Sequence, residues 1–258
     1  MYTSINDLSS SRILLSNDDG INAPGLAVLE RIARDLTDDV WIVAPSEEQS
    51  GVGHSLTLRN PLRPTQLKEK KYMIDGTPTD CVLIAIQHIM KDHPPDLVLS
   101  GINMGENLGE DVHYSGTIAA ALEATLQGVP AIALSQTMKE NIAWETVDYF
   151  APGLVRSICK ASWNQDTLIN INFPDCGVSK VKGVKVTRQG KHKVGDDLVL
   201  REDPRGRPYM WIGAQRARDI QSQDSDLRVV ADGYISVTPL NVDLTDVEML
   251  ESLSKALG

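Results

Sequence analysis

Two adjacent acids, Asp18 and Asp19, stand in the stretch RILLSNDDGINAPG (Arg12–Gly25), after a short apolar run and before a proline that opens a helical pattern. Taken alone, a DDG at a strand end is a turn and helix-capping device more often than a metal site. Two carboxylates aimed into one cleft repel each other unless a cation sits between them. Hard cations such as Mg²⁺ or Mn²⁺ take carboxylate, hydroxyl, amide and water oxygens. Neutral oxygens of that kind occur in two further loops, as Ser50 in SEEQSGVGHS and as Asn103 and Asn107 in SGINMGENLG. The second loop by itself reads as flexible, because Gly and Asn adopt left-handed turns readily. The joint pattern favours a metal. A third stretch, YSGTIAAALEA, starts a helix with Ser115 or Thr117 as cap. Every helix needs such a start, yet Ser115-Gly116-Thr117 facing the same cleft also offers free N–H groups to an anion, and a phosphate beside a metal suits it.

The elements that must bring these loops together alternate. Ile13–Leu15 reads as a buried strand, followed from Pro24 by apolar residues at helical spacing. DVWIVAP (Asp39–Pro45) is a second strand, and SLTLR (Ser55–Arg59) alternates as an extra one. YMIDG leads into a helix that Thr77 caps and Pro78 opens, with Val82, Ile86 and Ile89 facing inward. DLVLSG (Asp96–Gly101) and AIALS flank the helix that starts at Ser115. Strands and helices on this spacing predict an α/β fold, a Rossmann-like three-layer α/β/α arrangement with a mainly parallel sheet. In such sheets ligands bind outside the carboxyl ends of the strands, which is where all three loops emerge.

The organisation expected from this pattern is a disordered leader (1–11), a Rossmann-like catalytic region (12–140) and a C-terminal region (141–258) that completes a single domain. In the last, Pro152-Gly153 places a helix start at the proline, and TLININFP, VKGVKVTRQG and GYISVTPL are strand-like. LVLRE and YMWIG flank Asp203-Pro204-Arg205-Gly206, a strong turn signal, so a long hairpin spans about 190–224. That hairpin has little core of its own. It and the amphipathic terminal helix DVEMLESLSKAL are expected to make subunit contacts.

Composition narrows the function. With 41% hydrophobic and 23% charged residues, the 258-residue chain is an ordinary globular protein. A formal net charge of −10 argues against a nucleic-acid polymer as partner. No apolar stretch approaches the ~18 residues of a membrane span. Cys81, Cys159 and Cys176 are too sparse for a disulfide framework and fit the reducing cytoplasm. No zinc-type His spacing and no G-x-S-x-G elbow occurs, and SGVG lacks the third glycine of a dinucleotide loop. His54 and His113 lie in site loops, His88 and His93 read as structural, and His192 has no assigned role.

Five linked motifs, RILLSNDDGINAPG, VAPSEEQSG, GTPTDCV, SGINMGENLG and YSGT, occur in the order found in the stationary-phase survival protein SurE family, which the chain resembles from about Arg12 to Asp243. The resemblance implies a metal-dependent 5′-nucleotidase, with 3′-nucleotides and short polyphosphate as further substrates. It implies one divalent cation per subunit, Mg²⁺ or Mn²⁺, on Asp18, Asp19, Ser50 and Asn103, with the two aspartates catalytic. It further implies phosphate contacts from Asn107, Ser115, Gly116 and Thr117, and a homodimer or homotetramer with an exchanged C-terminal part. Glu47 and Glu48 occupy a loop where relatives carry basic residues, which weighs against polyphosphate. Two other classes share some of these features. A phospho-acceptor receiver module also pairs acids after its first strand, but needs a lone acceptor aspartate that VAPS and LVLSGIN do not provide. A nucleotide-binding protein without turnover would bind a nucleoside monophosphate and release no phosphate.

Overall fold

Residue alternation in short apolar runs builds the sheet. The structure, a computed structural model, describes residues 1–138, 142–191, 198–212 and 222–258. Its strands are β1 (Ile13–Ser16), β2 (Val40–Pro45), β3 (Pro64–Lys68), β4 (Lys71–Ile74), β5 (Leu97–Met104), β6 (Ala131–Gln136), β7 (Thr167–Phe173), β8 (Val184–Val186), β9 (Leu198–Glu202), β10 (Pro208–Ile212) and β11 (Ile235–Asn241). The helices are α1 (Pro24–Arg34), α2 (Pro78–Ile84), α3 (Gly116–Leu126), α4 (Trp144–Lys160), α5 (Asp226–Ala231) and α6 (Val247–Leu257). Ile13 and Leu15 of β1 pack with α1 and α4 on one face. Leu14 packs with α2 and α3 on the other, as a two-residue period requires. The result is the three-layer α/β/α fold expected from the sequence.

The described strands pair in the order β3-β4-β2-β1-β5-β6-β7-β11-β8, with β9 and β10 as a separate pair. From β4 across to β7 every pairing is parallel, and β3 and β11 add antiparallel neighbours. After β1 the chain builds outward to one side through β2 and β4, then returns to place β5 on β1's other side. The order therefore reverses between β1 and β5, and the crevice at such a switch point is where an open α/β sheet binds ligands.

Three sequence expectations need correction. The first eleven residues are not a loose leader: Tyr2 and Leu8 are buried, and the N–H groups of Tyr2 and Ile5 donate to the carbonyls of Trp163 (2.9 Å) and Cys159 (2.7 Å). Apolar residues every third position hold this segment against the end of α4. SLTLR is not a strand, because its backbone is tied to the start of α2: Thr57 N–H donates to Asp80 (3.0 Å) and Thr77 Oγ1 to the Ser55 carbonyl (2.7 Å). The extra strand is β3 instead. Finally, α4 runs through Pro152 rather than starting there. An interior proline costs about 3 kcal/mol. Val147, Ala151, Val155 and Cys159 form one buried stripe through it, and burial of the two valines at roughly 2 kcal/mol each offsets that cost. His192 and parts of the 190–224 segment lie outside the described residues. The β9–β10 hairpin itself is present, closed by Asp203, which accepts the N–H groups of Arg205 and Arg207.

At the start of β2, Asp39 accepts hydrogen bonds from Arg12 and Lys70 at 2.8 Å each and from the Trp41 indole at 3.0 Å. Burial alone would raise its carboxyl; the hydrogen bonds outweigh this and hold it at about 2. The folded value lies below the ordinary ~3.9, so this stabilisation is complete above that value and disappears as pH falls through about 2. Asp39→Asn is expected to lower the urea midpoint at pH 7 and flatten its decline between about pH 4 and 2. An acid limb identical to that of the parent protein would contradict the pairing.

Candidate metal and phosphate site

The face of the sheet that carries α2 and α3 is apolar along most of each strand and turns polar at the carboxyl ends. Leu14 is followed on that face by Ser16, Val98 by Ser100, Ala133 by Ser135, and Leu168 by Asn170 and Asn172. Buried polar groups need partners, and one loop supplies them. Asn107 donates its N–H to Asn172 Oδ1 (2.8 Å) and its Nδ2 to Ser135 Oγ (2.9 Å). Its carbonyl accepts from Asn170 and Asn172 at 2.9 and 3.1 Å. Asn107 is thereby fixed, with the second Nδ2 hydrogen left for a ligand oxygen.

β5 also bends at this edge. Ser100 pairs with Ala133, but Asn103 pairs with Ser135, so three steps on β5 oppose two on β6. Such a bulge re-aims the side chains beyond it. Gly101, at φ +130°, allows the bend, since a Cβ there would lie 2.3 Å from the Leu134 carbonyl oxygen. Asn103 follows, its Nδ2 tied to the Gly105 carbonyl at 2.9 Å, which leaves Oδ1 as the group available to a cation. The loop after β2 is held over β1 by Gln49 N–H, which donates to the Asp18 carbonyl at 2.7 Å, and this brings Ser50 in.

Asp18, Asp19, Ser50, Asn103, Asn107 and Ser115 thus line one cavity of about 260 Å³. Glu48, Glu106 and Asp111 line it too, giving five carboxylates and, among the described lining residues, no cationic side chain. Asp18 is buried, and its carboxyl is raised, chiefly by loss of water. The Thr117 hydroxyl and the backbone N–H groups of Gly116 and Thr117 oppose that shift. Burial, then the charge of Asp18, pushes Asp19 up to about 6, against a hydrogen bond from Met104 N–H. No Arg, Lys or His pairs with either acid among the described residues. Two carboxylates without a basic partner, beside a hydroxyl and an amide oxygen, form a donor set that fits a hard divalent cation. No grouping of three or more His, Cys, Asp or Glu with metal-holding geometry occurs among the described residues, so hydroxyl and amide oxygens would have to complete the set.

The sequence places Gly116 and Thr117 at a phosphate, and in the structure both also contact the Asp18 side chain. Thr117 Oγ1 donates to Asp18 Oδ1, and a Cβ on Gly116 would lie 2.6 Å from Asp18 Cβ. The positive end of α3 is closed against the Asp18 carboxylate, and neither residue lines the cavity. Ser115 lines it while its Oγ accepts from Ile118 N–H at 3.1 Å. His54 pairs with buried Glu123 at 3.0 Å, and His113 approaches Gln189 at 3.4 Å; both lie outside this cavity. The sequence reading missed Ser135, Asn170 and Asn172. The signal was two asparagines at i and i+2 in an otherwise apolar strand, which share one face and must be hydrogen-bonded there.

Fold and site together define an α/β protein with an acidic, oxygen-lined pocket at the switch point of a parallel sheet. The chain belongs to the SurE family, since the family described as Survival protein SurE matches residues 13–196. It is 55% identical over 261 residues to the 5′-nucleotidase SurE of Rhodospirillum rubrum, covering 99% of this chain and all of that protein. Its identity to the 5′-nucleotidase SurE of Paramagnetospirillum magneticum is 54%, over 99% of each chain. The crystal structure of the SurE protein from Aquifex aeolicus superposes with a TM-score of 0.83 at 39% identity, over 96% of this chain and 100% of that one.

The contact between α3 and Asp18 predicts distinct losses. Gly116→Ala should push Asp18 aside and weaken Mn²⁺ binding, titrated by electron paramagnetic resonance, by about 100-fold, as misplaced site groups do. Thr117→Val removes one donor and should weaken it about tenfold. Circular dichroism should stay unchanged in both. Wild-type affinity in both variants would contradict a role of α3 in placing Asp18 as a ligand.

Proposed function

We propose that this protein is a metal-dependent phosphomonoesterase, a 5′-nucleotidase that hydrolyses nucleoside monophosphates to nucleoside and phosphate. Its relatives carry that name over essentially the whole chain. The observation that carries the reading is the pair Asp18 and Asp19, without a basic partner among the described residues, at the switch point beside Ser50 and Asn103. One cation per subunit, Mg²⁺ or Mn²⁺, would be held by these four residues. When bound, it supplies Lewis acidity toward phosphoryl oxygens and acidifies water.

The chain's own residues account for the rest. Asp18 and Asp19 at the wall of the cavity of about 260 Å³ would repel a bare phosphate, and a cation held there would offset that charge. Asn107, locked by Asn172 and Ser135, offers an N–H to a non-bridging oxygen as charge builds. Ser115 presents its part of the wall beside the phosphate, and Gly116 and Thr117, next to it, also hold Asp18. Among the described lining residues no side chain is placed as an obvious nucleophile, which favours direct attack by water, with Asp18 or Asp19 accepting the proton.

The β9–β10 hairpin and α6 support a homodimer or homotetramer. Trp211, Ile212 and Leu257 are 65, 77 and 85% exposed in the single chain, and α6 buries no residue within it. No helix among the described residues is long and apolar enough to cross a membrane, and Cys81 and Cys159 are buried thiols. With the formal net charge of −10, these features support a cytoplasmic setting, with neither membrane nor nucleic-acid polymer as partner.

Purified protein is expected to release phosphate from nucleoside 5′-monophosphates with Mn²⁺ or Mg²⁺, to stop in chelator, and to recover when metal returns. Asp18→Ala/Asp19→Ala should fall by at least about 10³-fold. Undiminished phosphate release by that variant in chelator would overturn the assignment.

A further inference from the structure

Glu48 lines the cavity and is assigned above neither to the cation nor to the phosphate. We infer that Glu48 is a positioning residue: its carboxylate takes the hydroxyl hydrogen of Ser50 and so turns the lone pairs of Ser50 Oγ toward the cation. The inference rests on the metal reading of the site.

Ser50 Oγ donates to Glu48 Oε1 at 2.9 Å, and both residues line the pocket that contains Asp18 and Asp19. Gln49, between them, is anchored through its N–H to the Asp18 carbonyl at 2.7 Å. The backbone of the loop is thus set, and what remains free is the hydroxyl itself. Ser50 is exposed, so packing does not choose its rotamer. A serine hydroxyl has one hydrogen and two lone pairs. In a pocket with four other carboxylates, that hydrogen would be drawn toward Asp18 or Asp19, turning Ser50 into their donor and removing it as a ligand. An acceptor on the other side of the hydroxyl prevents this. Partners of this kind orient metal ligands, and losing one costs about 10–100-fold in metal affinity.

A double-mutant cycle separates this role from direct ligation or a bulk charge effect. Mn²⁺ dissociation constants are measured by electron paramagnetic resonance on full-length protein, for the parent and for Glu48→Ala, Ser50→Ala, the double variant, Glu48→Gln and Asp19→Ala. Glu48→Ala and Ser50→Ala should each weaken binding about tenfold. The double variant should match Ser50→Ala within about twofold, because the two act as one unit. Glu48→Gln keeps an acceptor oxygen and should stay within about threefold of the parent. A full further loss from Glu48→Ala in the Ser50→Ala background would overturn the inference, as would no effect of Glu48→Ala alone. Unaltered binding in Asp19→Ala would instead overturn the metal reading, and this inference with it.

Discussion

Two carboxylates on consecutive residues, one of them buried, repel each other and have lost much of their water. Left alone, such a pair holds protons more tightly than free carboxyls do, and a protonated carboxyl is a poor cation ligand. The structure answers this with the amino end of α3, whose N–H groups and Thr117 hydroxyl converge on Asp18. The helix dipole and hydrogen bonds favour the charged form but do not cancel the burial, so both acids remain displaced upward. The proposed divalent cation would complete what the helix begins. Much of the surrounding architecture serves to place α3 against Asp18 and to bring neutral oxygens to the same point.

That placement has a cost in sequence freedom. α3 closes on Asp18 only because residue 116 lacks a Cβ. β5 turns Asn103 inward only because residue 101 can adopt φ +130° next to the Leu134 carbonyl. Behind them, Ser135, Asn170 and Asn172 fix Asn107. The buried Asp226 takes the N–H groups of Gly109 and Gly190, at 2.9 and 2.8 Å, which fastens the same loop to the C-terminal segment. The region after residue 141 is thus part of the site's support.

Patterns that depend on neighbours in sequence were legible. Alternation in Ile13–Leu15, the cap at Thr77-Pro78 and the loops at the strand ends all follow from local chemistry, and they suffice to place Asp18, Asp19, Ser50 and Asn103 at one edge. Long-range contacts were not legible. The bonds from Asn107 to Asn170 and Asn172 span more than sixty residues of chain. Tyr2 is buried by the end of a helix far along the sequence. Pro152 breaks a helix by local rules and is overruled by a stripe of tertiary packing. The contact of Gly116 and Thr117 with Asp18 was hidden for a related reason: a helix start advertises affinity for an anion, but only the fold brings a side-chain carboxylate to it.

The most direct test of how the acids, the hydroxyl and the amide combine is anomalous diffraction from crystals of the full-length protein soaked in Mn²⁺. The predicted result is a manganese peak bounded by oxygens of Asp18, Asp19, Ser50 and Asn103, with Thr117 still donating to Asp18 from behind. Manganese bound away from Asp18 and Asp19, or soaked crystals with no peak between them, would contradict it.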